Sequence, residues 1–170
     1  MIENNPPRHR PPKLRIRLAS PKDAAEIKRV AAALGYPDDS DSIARARLLT
    51  LLNSPSDQVW VCEQDGSVMG WIHAFVAHRL ASDSFVEIGG LAVEPNSRRL
   101  GAGSALVQQA RLWATELGMG LRVRCRIDRD GAHQFYAAQG LQPGKQQQVF
   151  DSLEPDNQSS TRSSTEQLDR

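Results

Sequence analysis

Residues 98–106 read Arg-Arg-Leu-Gly-Ala-Gly-Ser-Ala-Leu, two cations and two spaced glycines just ahead of an apolar helical period. The first turn of a helix leaves its backbone N–H groups unpaired. Together with the helix dipole those groups form an anion site. Gly101 and Gly103 let a bulky phosphate approach the backbone, and Arg98 and Arg99 bring charge that suits phosphate oxygens. The run from Arg98 to Gly103 therefore suits a diphosphate. No Gly-Lys-Ser/Thr follows, so it is not a P-loop. A dinucleotide fold would want a third glycine and an acid about twenty residues on, at the end of a parallel strand. On the loop alone, a purely structural turn is the competing explanation.

The loop needs a strand before it and a helix after it, and the pattern supplies both. Residues 85–93, FVEIGGLAV, predict a long strand whose Gly89 and Gly90 have no side chains to pack, so a β-bulge is expected there. After the loop, Leu106, Ala110, Trp113 and Leu117 mark one face of a helix that Gly118 closes. Upstream, residues 14–20 alternate apolar and basic residues and predict a strand. Ser20, Pro21 and Asp23 then supply an N-cap, a first-turn proline and a capping-box acid for a helix that Gly35 stops. YPDDSDS (36–42) is an acidic loop, and Ala44, Leu48 and Leu51 share one face of a second helix. Residues 59–63 and 68–78 predict strands joined by the turn Gln-Asp-Gly-Ser. Residues 121–127 alternate strictly, with Leu121, Val123, Cys125 and Ile127 opposite Arg122, Arg124 and Arg126. The arginine row is either a solvated face or a contact for an anion or partner. A short helix over 130–139 and a last strand over 146–150 complete an α/β (α+β) chain, a mixed, mostly antiparallel sheet flanked by helices.

A chain of 170 residues with 39% apolar and 24% charged residues reads as one domain large enough to bury a core. The net charge of +1 gives no sign of nucleic-acid binding, and no apolar run reaches the length of a membrane span. The first residues lack the apolar centre of a signal peptide, so the expected location is cytoplasmic. Cys62 and Cys125 read as reduced, buried thiols, and the scattered histidines and cysteines make no metal site. Residues 1–13 and 155–170 have no apolar pattern to offset chain entropy and are expected to be disordered tails around a domain over 14–154.

From Phe85 to Phe150 the sequence resembles the GNAT superfamily of acetyl-CoA-dependent N-acetyltransferases. The matching pieces are LAVEP (91–95), RRLGAGSALV (98–107), WATELG (113–118) and AHQFYAAQGL (132–141), in the family's order and separation. The N-terminal half matches only in element order, so the resemblance spans roughly residues 14–152. It implies a GNAT-like acyl-CoA N-acyltransferase fold with acetyl-CoA as the acyl-donor cosubstrate. The acetyl-pantetheine arm would run along Leu91, Ala92 and Val93 like an added strand. The pyrophosphate would sit on Arg98, Arg99, Leu100, Gly101, Ala102, Gly103 and Ser104. Gly89 and Gly90 would start the splay that admits the cofactor. Many members carry glycine where this chain has Arg99.

Acyl transfer from a thioester to an amine needs a neutral amine, a stabilised oxyanion and a proton for the departing thiolate. Tyr136 matches the family tyrosine that often protonates the thiolate, and a phenol with a pKa of about 10 is protonated at neutral pH. Glu87 lies six residues before Val93, where some members place a catalytic glutamate, and is the candidate base through a water. His73, His78 and His133 are alternatives. A covalent cysteine route has no support, since neither thiol follows a helix N-terminus or has an evident histidine partner. The loop between the first two helices usually helps line the acceptor site in the family. Here that gives Tyr36, Asp38 and Asp39, as contacts for a cationic amine or as ordinary helix capping. The expected activity is direct acetyl transfer to a primary amine, small or on a protein, in a ternary complex, with no nucleic-acid or membrane partner and a possible homodimer. A non-catalytic acetyl-CoA-binding sensor is the alternative, and Tyr136 favours the enzyme.

Overall fold

Five strands lie side by side in chain order, β1-β2-β3-β4-β5, and the sheet is antiparallel except where β5 runs parallel to β4. The computed structural model describes residues 13–32, 35, 39–97 and 100–150. The strands are β1 (Arg15–Leu18), β2 (Asp57–Gln64), β3 (Ser67–Ala77), β4 (Phe85–Val93) and β5 (Leu121–Val123). The helices are α1 (Ala24–Ala32), α2 (Asp41–Leu52), α3 (Ala102–Glu116) and α4 (Asp130–Ala138). The predicted mixed, mostly antiparallel sheet with flanking helices is what forms. Nearly all of both expected tails lies outside the described residues.

Alternation along the strands sorts the core onto two faces. On one face Trp60, Cys62, Ile72, Ala74, Val86 and Ile88 meet Leu106, Val107, Ala110 and Ala114 of α3. On the other, Val61, Val68 and Ala92 meet Val30 of α1, and Val59 meets Ala24 and Leu48. Phe135 and Tyr136 fix α4 to the α3 side, although no residue of α4 is fully buried.

The start of α1 is held by a buried charge. Arg17 makes two bonds of 2.8 Å to Asp23, one to each carboxylate oxygen, and a third of 2.6 Å to Glu63. Ser20 N–H donates to the same Asp23 carboxylate at 2.7 Å, as the capping box predicts. The Arg17 guanidinium beside it holds the Asp23 carboxyl down at about 2, against 3.8 for the free group. A carboxyl whose pKa falls on folding stabilises the native state above its unfolded pKa, and that stabilisation disappears as pH drops through the folded value. Asp23 thus contributes about 2 kcal/mol at neutral pH, lost between about pH 4 and pH 2. Urea unfolding of wild type and Asp23→Asn across pH checks it. The stability gap between them is expected to close as pH falls from 5 to 2, and a constant gap contradicts the assignment.

Two predictions of secondary structure fail. Residues 146–150 form no strand, and Val149 and Phe150 are exposed. The strand expected over 121–127 stops at Val123, so Cys125 is exposed and not buried. Strands exist by pairing, and β5 pairs with β4 at only three positions, ending at Ile88–Val123. Past that point Arg124, whose side chain stays largely exposed, donates to Glu87 from outside the ladder. Cys62 is buried as expected, and burial pushes its thiol up.

Candidate active site

The bulge falls at Gly89. His73 pairs with Gly90 and Ala74 with Ile88, leaving Gly89 as the extra residue. An extra residue reverses which side chains face which side. Before it Val86 and Ile88 face α3; after it Leu91 and Val93 pack on that side while Ala92 is buried on the other. The pairing of β4 with β5 also stops at Ile88. Among the described residues, the β5-side edge of β4 from Gly89 to Val93 thus lies open beside the start of α3. Strand neighbours sit about 4.8 Å apart, so the open edge suits an extended amide-bearing chain.

The far end of that edge meets the glycine loop. Gly101 is the N-cap of α3 at φ 88°, a left-handed conformation that only glycine holds without strain, and it offers no capping side chain. The N–H groups of Ala102, Gly103 and Ser104 therefore have no intrahelical acceptor. Leu100 is half-exposed in the turn before them, and Ala102 is buried in the core. Arg98 and Arg99 lie outside the described residues.

Gly103 also faces a second neighbour. A Cβ built there would lie 3.2 Å from Phe135 Cζ and 3.7 Å from Val93 Cγ2. Its bare Cα faces inward and lets α4 close on α3. Ser104 and Arg111 extend that seam: Gln139 Nε2 donates to Ser104 Oγ at 3.0 Å, and Arg111 donates to the Gln139 carbonyl at 2.5 Å. Phosphate approach and the Phe135 contact are two separate reasons for a small residue at Gly103, and neither Phe135 nor Gln139 carries a local signal for this seam. The small-residue spacing Gly-x-Gly allows either cause.

Tyr136 is half-buried against the same cluster as Leu91, Val93 and Val123, with its ring edge-on to Phe135 at 5.1 Å. Glu87 belongs to the opposite face of β4 and is only 3% exposed. Arg124 Nε donates to its Oε1 at 2.6 Å, and Oε2 is buried with no hydrogen-bond partner among the described residues. Such an orphan oxygen costs about 1–3 kcal/mol unless something fills its place. The two candidate proton-transfer groups thus lie on opposite faces of the sheet, Glu87 in the paired part of β4 two residues before Gly89.

The arginine row divides three ways. Arg124 holds Glu87, Arg126 pairs with Asp128, and Arg122 lies 3.8 Å over the Phe85 ring centroid. His133 Nε2–H donates to the Arg126 carbonyl at 3.0 Å, which fits a structural histidine. On the acceptor side, Tyr36 and Asp38 lie outside the described residues. Asp39 is ion-paired with Arg47, and Ser40 rather than Asp39 caps α2, accepting from Ile43 N–H at 3.3 Å. No helix among the described residues is long and apolar enough to cross a membrane, and no metal-binding cluster occurs among them.

Solved N-acetyltransferases share this architecture. The aminoglycoside N-acetyltransferase AAC(6')-Iy in complex with CoA superposes on 85% of this chain and 97% of its own, with a TM-score of 0.75 and 16% identity. AAC(6')-Ih from Acinetobacter baumannii, an aminoglycoside 6'-N-acetyltransferase, aligns over 84% of this chain and all (100%) of its own, at TM-score 0.72 and 18% identity. Glucosamine-6-phosphate N-acetyltransferase from Arabidopsis thaliana aligns over 82% and 98%, at TM-score 0.71 and 14% identity. At these identities the likeness establishes the fold. Among curated protein sequences none matches. The family model for acetyltransferase (GNAT) family proteins matches residues 25–141, well over half the sequence. With the split sheet edge and the glycine-capped helix in place, the chain belongs to the GNAT family of acetyltransferases.

Proposed function

We propose that this protein transfers an acetyl group from acetyl-CoA directly to a primary amine within a ternary complex. One arrangement carries the reading. The edge of β4 is unpaired from Gly89 to Val93, with Tyr136 packed on the α3 side of the sheet and the orphan oxygen of Glu87 on the other. Acetyl-pantetheine would pair with Leu91, Ala92 and Val93, and its pyrophosphate would take the free N–H groups of the α3 N-terminus. Arg98 and Arg99 would add charge to that end. The amine would arrive on the Glu87 face, where Oε2 accepts a proton through a water. Attack forms the C–N bond, the C–S bond breaks, and the thiolate takes its proton from the Tyr136 hydroxyl. Tyr36 and Asp38 stand as candidate acceptor contacts. Asp39 could join them only by leaving Arg47.

The test is release of free thiol from acetyl-CoA by the purified protein, with and without a panel of amines: aminoglycosides, polyamines, amino acids and lysine peptides. Amine-dependent release with at least one class is the expected result. Tight acetyl-CoA binding without amine-dependent release would replace the enzyme by the sensor.

A further inference from the structure

On the Glu87 face, β3 presents His73 beside the bulge. His73 Nε2 lies 2.6 Å from Asp57 Oδ1, and Ser54 Oγ donates to Asp57 Oδ2 at 2.5 Å. Both oxygens of the aspartate are thus engaged, and the carboxylate cannot swing away. The ring is stacked on Phe75 at 5.7 Å, 26° from parallel. Each contact orients the imidazole; none uses Nδ1. A carboxylate accepts from Nε2–H, which leaves the Nδ1 lone pair free in the neutral ring.

Nδ1 lies over Gly89. A Cβ on Gly89 would lie 2.7 Å from it, so the glycine at the bulge is what makes room for this nitrogen. Gly89 is also the first residue of β4 without a β5 partner, where the thioester end of a strand-like pantetheine would lie. The His73 side chain is 19% exposed, enough to exchange a proton with solvent. Charged groups on the flanking elements are Asp57 on β2 and Glu87 on β4, the latter bonded to Arg124.

We propose that His73 is a second proton acceptor in the reaction, with Asp57 and Ser54 as positioning residues. The inference rests on the transferase reading above. A primary ammonium sheds two protons in becoming an amide. Glu87, through water, takes the first, giving the neutral amine. As the C–N bond forms, His73 Nδ1 takes the second from the amine nitrogen. The C–S bond breaks, the thiolate is protonated by Tyr136, Glu87 and the imidazolium each return a proton to solvent, and Tyr136 regains one from it. The products are the N-acetylated amine and CoA thiol, with one proton released.

Two measurements test it. In long-range nitrogen–proton spectra of the histidine-labelled protein, the neutral His73 ring should be the Nε2–H tautomer; an Nδ1–H ring overturns the proposal. With an active amine, His73→Gln should lower kcat about 100-fold or more, leave KM for acetyl-CoA within about twofold, and change the shape of the acidic limb of the pH–rate profile. Asp57→Asn should lower kcat less and shift that limb. A purely structural role would lower the melting temperature without changing the profile's shape. If wild type acetylates an amine and His73→Gln keeps both rate and profile, His73 is excluded while the transferase stands. If wild type transfers acetyl to no amine, both readings fall.

Discussion

Tyr136→Phe should lower turnover by about 10²- to 10⁴-fold, the range for loss of a general acid, while acetyl-CoA affinity stays within a few-fold. The substitution keeps the ring, and the ring is what packs against Phe135 and the Leu91–Val93 cluster. Only the hydroxyl is lost, so the ring packing that shapes the site should hold. Phenol protonation at neutral pH makes the group available to a thiolate. Turnover measured across pH in both proteins separates the roles. A general acid gives a loss concentrated in kcat, with the alkaline limb of the wild-type profile missing in the variant. A hydroxyl that only positions the sulfur gives a smaller, pH-independent loss. Unchanged turnover would remove Tyr136 from the mechanism and leave water as the proton source.

Gly103→Val should weaken acetyl-CoA binding by about 1–3 kcal/mol, the usual cost of overfilling a tight site, which is roughly 5- to 150-fold. Valine is a better helix former than glycine, so the loss must be steric. The structure locates the collision: the first added carbon would lie 3.2 Å from Phe135 Cζ, and the branches would need more room still. Displacing Phe135 moves α4, and with it the neighbouring Tyr136. A double-mutant cycle with Phe135→Ala identifies the cause. If Phe135 is the obstacle, Gly103→Val should cost far less in the Phe135→Ala background, as read by calorimetric titration with acetyl-CoA. An equal loss in both backgrounds would mean that the valine blocks phosphate approach at the outer face.

Much of the site was legible because its signals are local. Helix caps and bulges depend on a few adjacent residues, so Ser20–Asp23 and Gly89 could be placed from spacing alone. The loop at Gly101–Ser104 was legible for the same reason, since the conformation of an N-cap is decided within one turn. Residues joined across the sheet were not legible. Nothing in the alternation of 121–127 says that Arg124 leaves its strand to hold Glu87 from 37 positions away. Nor does any local pattern say that Phe135 packs against Gly103.

The sequence alone therefore determined the element order as far as α4, the bulged strand and the helix after the glycine loop, all of them encoded in short-range periodicity and turn chemistry, while Tyr136 and Glu87 came from the family resemblance. Only the tertiary structure decided how far β5 pairs, which face each candidate occupies, and that Asp57, Ser54 and His73 converge on Gly89. The physical reason is that strand pairing and side-chain contact join residues distant in the chain. Their energies depend on which backbone edge and which cavity the rest of the fold leaves open, and no local pattern carries that information.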